Sequence, residues 1–200
     1  MNDSITSNPN LKIDFHITIL GKGVVGKTSL INRFLNIEIP NNHNPTIEDT
    51  FKISKIINYE KLNLEILDTA GEKDYQNMFN SWVNKGDGFI LVFAINDKES
   101  FDYLKNIKNK INEIKGENIP IILIGNKIDL KDEREINDKD VKELTKKWNV
   151  EFIECSAKEN INCDVILNLI ALKWKNYEKN KNNNNNDKKK DKSNCDCFIY

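Results

Sequence analysis

Two phosphate-binding patterns overlap in the stretch "GKGVVGKTS" at residues 21–29. Gly21, Gly23 and Gly26 satisfy G-x-G-x-x-G, the spacing that lays a dinucleotide pyrophosphate on a helix N-terminus. Gly21, Gly26, Lys27 and Thr28 satisfy G-x-x-x-x-G-K-[ST], which holds a nucleoside triphosphate. In that reading the loop Gly21-Lys22-Gly23-Val24-Val25-Gly26 wraps the phosphates, with N–H groups of 23–28 and the following helix N-terminus adding positive charge. Lys27 reaches the β- and γ-phosphates, and the Thr28 hydroxyl binds Mg²⁺.

Three further stretches carry chemistry. "LEILDTAGE" ends on Asp68-Thr69-Ala70-Gly71. The Asp68 carboxylate can hold the same Mg²⁺ through a water, and the Gly71 N–H can face the γ-phosphate. "IPIILIGNKIDL" brings Asn126, Lys127 and Asp129. A carboxylate at Asp129 can accept hydrogen bonds from guanine N1–H and the 2-amino group together; adenine offers neither, so the site rejects it. "ECSAK" supplies Ser156, Ala157 and Lys158, with the Ala157 N–H directed to guanine O6.

These groups need one edge to stand on. Alternation of Ile13, Phe15, Ile17 and Ile19 with polar residues predicts a half-buried strand running into the glycine loop, and "KTSLINRFL" a helix leaving it. "FKISKIIN" and "LNLEILD" read as an antiparallel hairpin. "GFILVFA" and "IPIILIG" are continuous apolar runs, as in strands covered on both faces, and "NVEFIEC" is a last strand. Helical patterns lie near 98–115, 137–148 and 159–178. Strands alternating with helices predict an α/β fold with a six-stranded, mostly parallel sheet, helices on both faces and one antiparallel edge hairpin. Every motif falls just after a strand, where ligands bind on such sheets.

The dinucleotide pattern fails on this layout. It requires an acid at the end of the second strand, whereas Glu48 and Asp49 precede "FKISKIIN" and Lys27 and Thr28 have no role in it. The triphosphate reading, a P-loop NTPase fold, uses every motif.

From about residue 12 to 175 the chain resembles a Ras-like small GTPase. The resemblance implies GTP/GDP bound with Mg²⁺ and GTP hydrolysis, with a domain at 12–178. "HNPTIEDTF" resembles the family's first switch and effector segment: His43, Asn44, Pro45, Thr46, Ile47, Glu48, Asp49, Thr50 and Phe51. There Thr46 joins Thr28 and Asp68 at Mg²⁺ and contacts the γ-phosphate, and the edge beside Glu48 and Asp49 takes Ras-binding effector domains by strand addition. "DTAGEKDYQNM" resembles the second switch. The chain leaves no room between Asp129 and Ser156 for a Rho-type insert, carries Asn2 where Arf-type chains need glycine, and has three residues after Cys197, unlike Rab-type ends. Ras proper is the best match. Exchange factors and activating proteins are the implied regulators, acting on a monomer.

Three positions depart from the family. Glu72 replaces the glutamine that orients the attacking water; with Lys27, Thr46 and Gly71 it makes up the expected catalytic set. A carboxylate accepts from that water but cannot donate to the phosphoryl oxygens and repels them, so hydrolysis is expected to be altered. A nucleotide-dependent binding module with little intrinsic hydrolysis is the alternative. Ile39 replaces the phenylalanine that stacks on guanine, a loss of about 1 kcal/mol that should speed release. His43 replaces the tyrosine that closes over the phosphates. Gly23, by contrast, keeps the space an arginine finger needs.

Composition sets the remaining limits. Two hundred residues allow one domain, and a net charge of −1 gives no reason to expect nucleic-acid binding. Residues 1–11 read as a flexible extension without a secretory signal, and 179–200 as a disordered Asn/Lys-rich tail. The tail holds six lysines against three aspartates and ends on "CFIY". This resembles a C-a-a-X box with Cys197 as prenyl acceptor; its bulky terminal residue, Tyr200, leans towards geranylgeranyl. One lipid anchors only marginally, and Cys195 (palmitoylation) and Lys188, Lys189, Lys190 and Lys192 (anionic lipid) offer a second signal. The expected location is the cytoplasmic face of the cell membrane.

Overall fold

A computed structural model describes residues 4–5, 12–40, 46–57, 59–71 and 76–193. Among these, the strands are β1 (Ser4–Ile5), β2 (Phe15–Leu20), β3 (Glu48–Ile57), β4 (Glu60–Thr69), β5 (Gly88–Ala94), β6 (Ile121–Asn126) and β7 (Glu151–Glu154). The helices are α1 (Lys27–Phe34), α2 (Gln76–Lys85), α3 (Lys98–Lys115), α4 (Asp138–Trp148) and α5 (Asp164–Ser193). The sheet order is β1-β3-β4-β2-β5-β6-β7. β4, β2, β5, β6 and β7 run parallel, while β3 pairs antiparallel with β4. The six expected strands and the edge hairpin are therefore present. Within 1–11, Ser4 and Ile5 add a short antiparallel pairing to Ser54 and Ile53 of β3.

The continuous apolar runs fill the centre because both sheet faces are covered. Alternate residues of β5 enter different cores: Ile90, Val92 and Ala94 pack with α1 and α5, and Phe89, Leu91 and Phe93 with α2, α3 and α4. β2 corrects the half-buried expectation. Its Thr18 and Leu20, on the face expected to be polar, are buried too, because α2 lies over them and the Thr18 hydroxyl donates to the Trp82 carbonyl at 3.2 Å.

Local chemistry sets several helix ends. Asp97 caps α3 by accepting from Ser100 N at 3.0 Å, and Asn137 caps α4 by accepting from Asp140 N at 2.8 Å. α4 stops at Asn149 in the left-handed region. Besides β1, two elements were not expected: α2 and a 3₁₀ segment at Ile128–Glu133. The signal for α2 was present, since Phe79, Trp82 and Val83 are spaced i, i+3, i+4 and all are buried. α5 starts at Asp164 rather than near 159, because Ser156 and Ile161 bridge and Asn160 and Asn162 take positive φ. Trp174 stacks on Phe15 with centroids 4.8 Å apart and fixes α5 to the sheet. The helix runs on to Ser193, past the expected end at 178, with no Gly or Pro between 164 and 193 to stop it. No helix among the described residues is long and apolar enough to cross a membrane.

Candidate functional site

The loop from β2 to α1 turns on two left-handed residues, Val24 (φ 64°) and Gly26 (φ 94°). A Cβ at Gly26 would lie 2.4 Å from Asn126 Nδ2, so this position needs glycine for space as well as for φ. Lys27 folds back across the loop, its Nζ donating to the carbonyls of Gly21 and Lys22 at 3.0 Å each. Its side chain is buried, and that burial lowers the Lys27 pKa to about 8, with the Asp68 carboxylate acting in the opposite direction.

Opposite the loop, the end of β4 brings up Asp68. Its Oδ2 accepts from the Thr28 hydroxyl at 2.6 Å, and the Thr28 and Thr46 hydroxyls are 3.0 Å apart. Two hydroxyls and a carboxylate thus converge from three elements. This all-oxygen set suits Mg²⁺ rather than a soft metal. Among the described residues no three His, Cys, Asp or Glu side chains could cage a metal by themselves. The set therefore fits a cation that draws its other ligands from phosphate and water.

Gly71 packs directly on the loop: a Cβ there would meet Gly23 N at 2.2 Å. Its carbonyl accepts from Gly23 N at 2.9 Å. The Gly23 N–H, expected to face phosphate, thus meets the Gly71 carbonyl in this structure, and a phosphate would compete with that carbonyl for it. Ala70 N donates to Ile47 O at 3.0 Å, tying the two switch segments together, and the Thr69 hydroxyl donates to Ile19 O at 2.7 Å. Thr69 and Ala70 are thus positioning residues.

The end of β6 holds the site together. Buried Asn126 donates from Nδ2 to Val25 O at 2.8 Å and accepts at Oδ1 from Ala157 N at 3.0 Å. The Ala157 N–H, expected at guanine O6, is thus taken by Asn126, because Asn126 is the strut between the phosphate loop and the Ser156 loop. Asp129 Oδ1 accepts from the Ser156 hydroxyl at 2.5 Å, and Ser156 Oγ accepts from Glu159 N at 3.0 Å, which orients the Asp129 carboxylate. Lys22 belongs to the loop expected to wrap the phosphates. Its side chain turns away to Asp97 (3.2 Å) and Glu99 (2.9 Å), whose hydrogen bonds raise its pKa against the effect of burial.

One cavity of about 830 Å³ joins these parts, bordered by Lys27, Thr28, Thr46, Gly71, Lys127, Asp129, Ala157 and Lys158 among others. Ile39 borders it as well, half-buried against the core. Sequence reasoning missed Arg33. From α1, its Nε donates to Ala157 O at 2.6 Å and its Nη2 to Lys158 O at 2.7 Å, fixing the loop that carries Ser156. Nothing in a polar helical arginine signals a partner more than a hundred residues away.

The segment expected to meet effectors, residues 43–51, lies only partly among the described residues. β3 begins at Glu48, so Glu48 and Asp49 are its first residues, still at the wrong end for a dinucleotide site. Ile47, Asp49 and Thr50 are not buried; Ile47 keeps 56% of its surface. Phe51 packs half-buried on the core. Glu48 is held by α2: Trp82 Nε1 and Lys85 Nζ each donate to it at 2.8 Å, and the Lys85 bond leads in lowering its pKa. His43, Asn44, Pro45, Glu72, Cys195 and Cys197 lie outside the described residues.

A loop that cradles phosphate, an oxygen set for Mg²⁺ and an acid at the far end of one cavity define a P-loop nucleotide-binding protein of the α/β class. A sequence model of the Ras family matches residues 16–176. The chain is 35% identical over 171 residues to the Ras-like protein rasU of Dictyostelium discoideum, covering 86% of this chain and 80% of that one. It is 34% identical to the Ras-like protein RAS2 of Hydra vulgaris, covering 85% and 89%. To the GTP-binding protein Rit1 of Mus musculus it is 32% identical, covering 88% and 81%. The chain belongs to the Ras family, as a GTP-binding switch of the small GTPase type.

Arg33→Ala should release both carbonyls of the Ser156 loop and speed GDP dissociation about threefold or more, each such charge-assisted bond being worth ~1.5–3 kcal/mol at most. Displacement of a fluorescent GDP checks this. An unchanged rate would mean that Asn126 alone holds the loop.

Proposed function

We propose that this protein is a membrane-tethered switch that binds GTP, hydrolyses it to GDP and engages effectors through its switch segments. The observation carrying this reading is the convergence of Lys27, the Thr28 and Thr46 hydroxyls and the Ser156-oriented Asp129 on one cavity, with Asp68 accepting from Thr28 behind them. Lys27 neutralises phosphate charge from its buried position, and Asp129 selects guanine by accepting from two donors of the base. Thr28, Thr46 and Asp68 would hold Mg²⁺, which when bound supplies charge to the transferring phosphoryl oxygens. Thr46 and Gly71 belong one to each switch segment, so both segments answer to the γ-phosphate together. Glu72 accepts a hydrogen bond from the attacking water and thereby orients it. Exposed Asp49 and Thr50 offer the edge of β3 to effector domains, and Cys197, with Cys195 and the tail lysines, holds the protein at the cytoplasmic face of the membrane.

The identity of Glu72 supports a second reading, a switch that works by exchange with little turnover of its own. Single-turnover GTP hydrolysis, with and without a Ras-type activating protein, separates the two. Hydrolysis that the activator accelerates supports the timed switch; tight binding without turnover supports exchange alone. Glu72→Gln is expected to change the intrinsic rate at least about threefold, because an amide can donate to the phosphoryl oxygens that a carboxylate repels. Equal rates would take Glu72 out of the chemistry.

A further inference from the structure

At the amino ends of β6 and β7, opposite the nucleotide cavity, lies a groove of about 1100 Å³ between α3, the end of α4 and α5. Five lysines line it, Lys105, Lys108, Lys147, Lys173 and Lys181, against two glutamates, Glu117 and Glu151. Lys108 is the unusual member. It is only 5% exposed, and its hydrogen bond goes to the neutral amide of Asn112. Burial lowers its pKa, with Glu117 acting in the opposite direction. A solvated basic face would not draw a lysine in this far; the Lys108 ammonium hydrogen-bonds an amide rather than a carboxylate, with Glu117 as its nearby opposite charge.

The other lysines are available at little cost. Lys105 pairs with Asp102 at 2.6 Å, Lys173 with Glu151 at 3.2 Å and Lys181 with Glu178 at 3.9 Å. These partly exposed pairs are worth roughly 0–1 kcal/mol and can be exchanged for a stronger anion. Trp148 and Tyr177 stand in the same wall, neither fully buried. Amphipathic rings of this kind favour the boundary between water and lipid. α5, which forms one side of the groove, runs on into the segment with Lys188, Lys189, Lys190 and Lys192.

We propose that this groove binds a small anion carrying several phosphate groups, of the kind an inositol polyphosphate presents either free or as a lipid headgroup, with Lys108 at its floor and Lys147 at its mouth. The site is separate from the nucleotide cavity and shares no residue with it.

The test uses the full-length, GDP-loaded protein. Calorimetry with soluble inositol trisphosphate measures the anion itself. Sedimentation with phosphatidylcholine vesicles containing phosphatidylinositol bisphosphate, against charge-matched phosphatidylserine vesicles, measures the lipid source. Lys108→Met, an apolar replacement at a buried site, and Lys147→Ala should each weaken trisphosphate binding about fivefold or more, with GDP affinity unchanged. Replacing the four tail lysines with serine should leave trisphosphate binding intact. Preference for the bisphosphate vesicles identifies the headgroup as the source; trisphosphate binding without that preference identifies the free anion. No trisphosphate binding, equal binding by Lys147→Ala, or loss of binding in the tail variant would overturn the proposal.

Discussion

Asp129→Ala should weaken GDP and GTP binding by on the order of a thousandfold or more while leaving the fold intact. The size of the effect follows from the geometry. Asp129 borders the cavity and is already oriented by the Ser156 hydroxyl at 2.5 Å, so little ordering remains to be done when guanine arrives. Removing the carboxylate leaves N1–H and the 2-amino group without an acceptor, and each unmet donor costs about 1–3 kcal/mol. Asp129→Asn sharpens the test. It keeps the volume but presents a donor where guanine also donates, so affinity should fall by a comparable factor. Equilibrium titration with fluorescent GDP, alongside a thermal melt, measures both. If Asp129→Asn bound GDP as tightly as the parent, the carboxylate would not be the guanine reader.

The second large effect concerns Lys27 and pH. Lysine ordinarily titrates near 10.4, but burial holds Lys27 at about 8. Phosphate binds the ammonium form, so the bound state has the higher pKa and takes up a proton wherever free Lys27 has lost it. Affinity should therefore be level below pH 8 and fall as pH rises through that value, by up to about tenfold per unit until the bound-state pKa is reached. Lys27→Met should lower affinity by on the order of a hundredfold at neutral pH, two to three kcal/mol for a lost charge-assisted contact, and remove this slope. Dissociation constants for GDP from pH 7 upward decide it. A slope that survives in Lys27→Met would assign the titration to another group.

The coupling between switch segments bears on both experiments. Gly23 N to Gly71 O, Ala70 N to Ile47 O and the two bonds from α2 to Glu48 link the phosphate loop, the segments at Ile47 and Gly71, and the start of β3 through short hydrogen-bonded steps. A phosphate that takes the Gly23 N–H competes with the first of these bonds, so nucleotide state can reach Glu48 through short, identifiable steps.

Much of this was legible in the residues alone, where the physics is local. Period-two alternation located β2 and the fully apolar runs located β5 and β6, although α2, packed over Thr18 and Leu20, decided how deeply β2 is buried. The placement of the motifs read as phosphate- and guanine-binding was legible because each is a short segment at the end of a strand, and the parallel sheet brings such ends to one edge. Chain-distant contacts were not legible. Asn126 as a strut that takes the Ala157 N–H, Arg33 on the Ser156 loop, Lys22 turned to Asp97 and Glu48 held by Trp82 and Lys85 each join residues far apart in the chain. The direction of such a side chain depends on which element packs beside it. Lys108 shows the same limit: in sequence it is one lysine on a helix with several others, and only the packing of α3 against its neighbours decides that it is buried. Residue type and spacing thus determined the class of chemistry and the edge on which it occurs, whereas the tertiary structure decided which donors remain for the ligand, because that depends on partners no local pattern names.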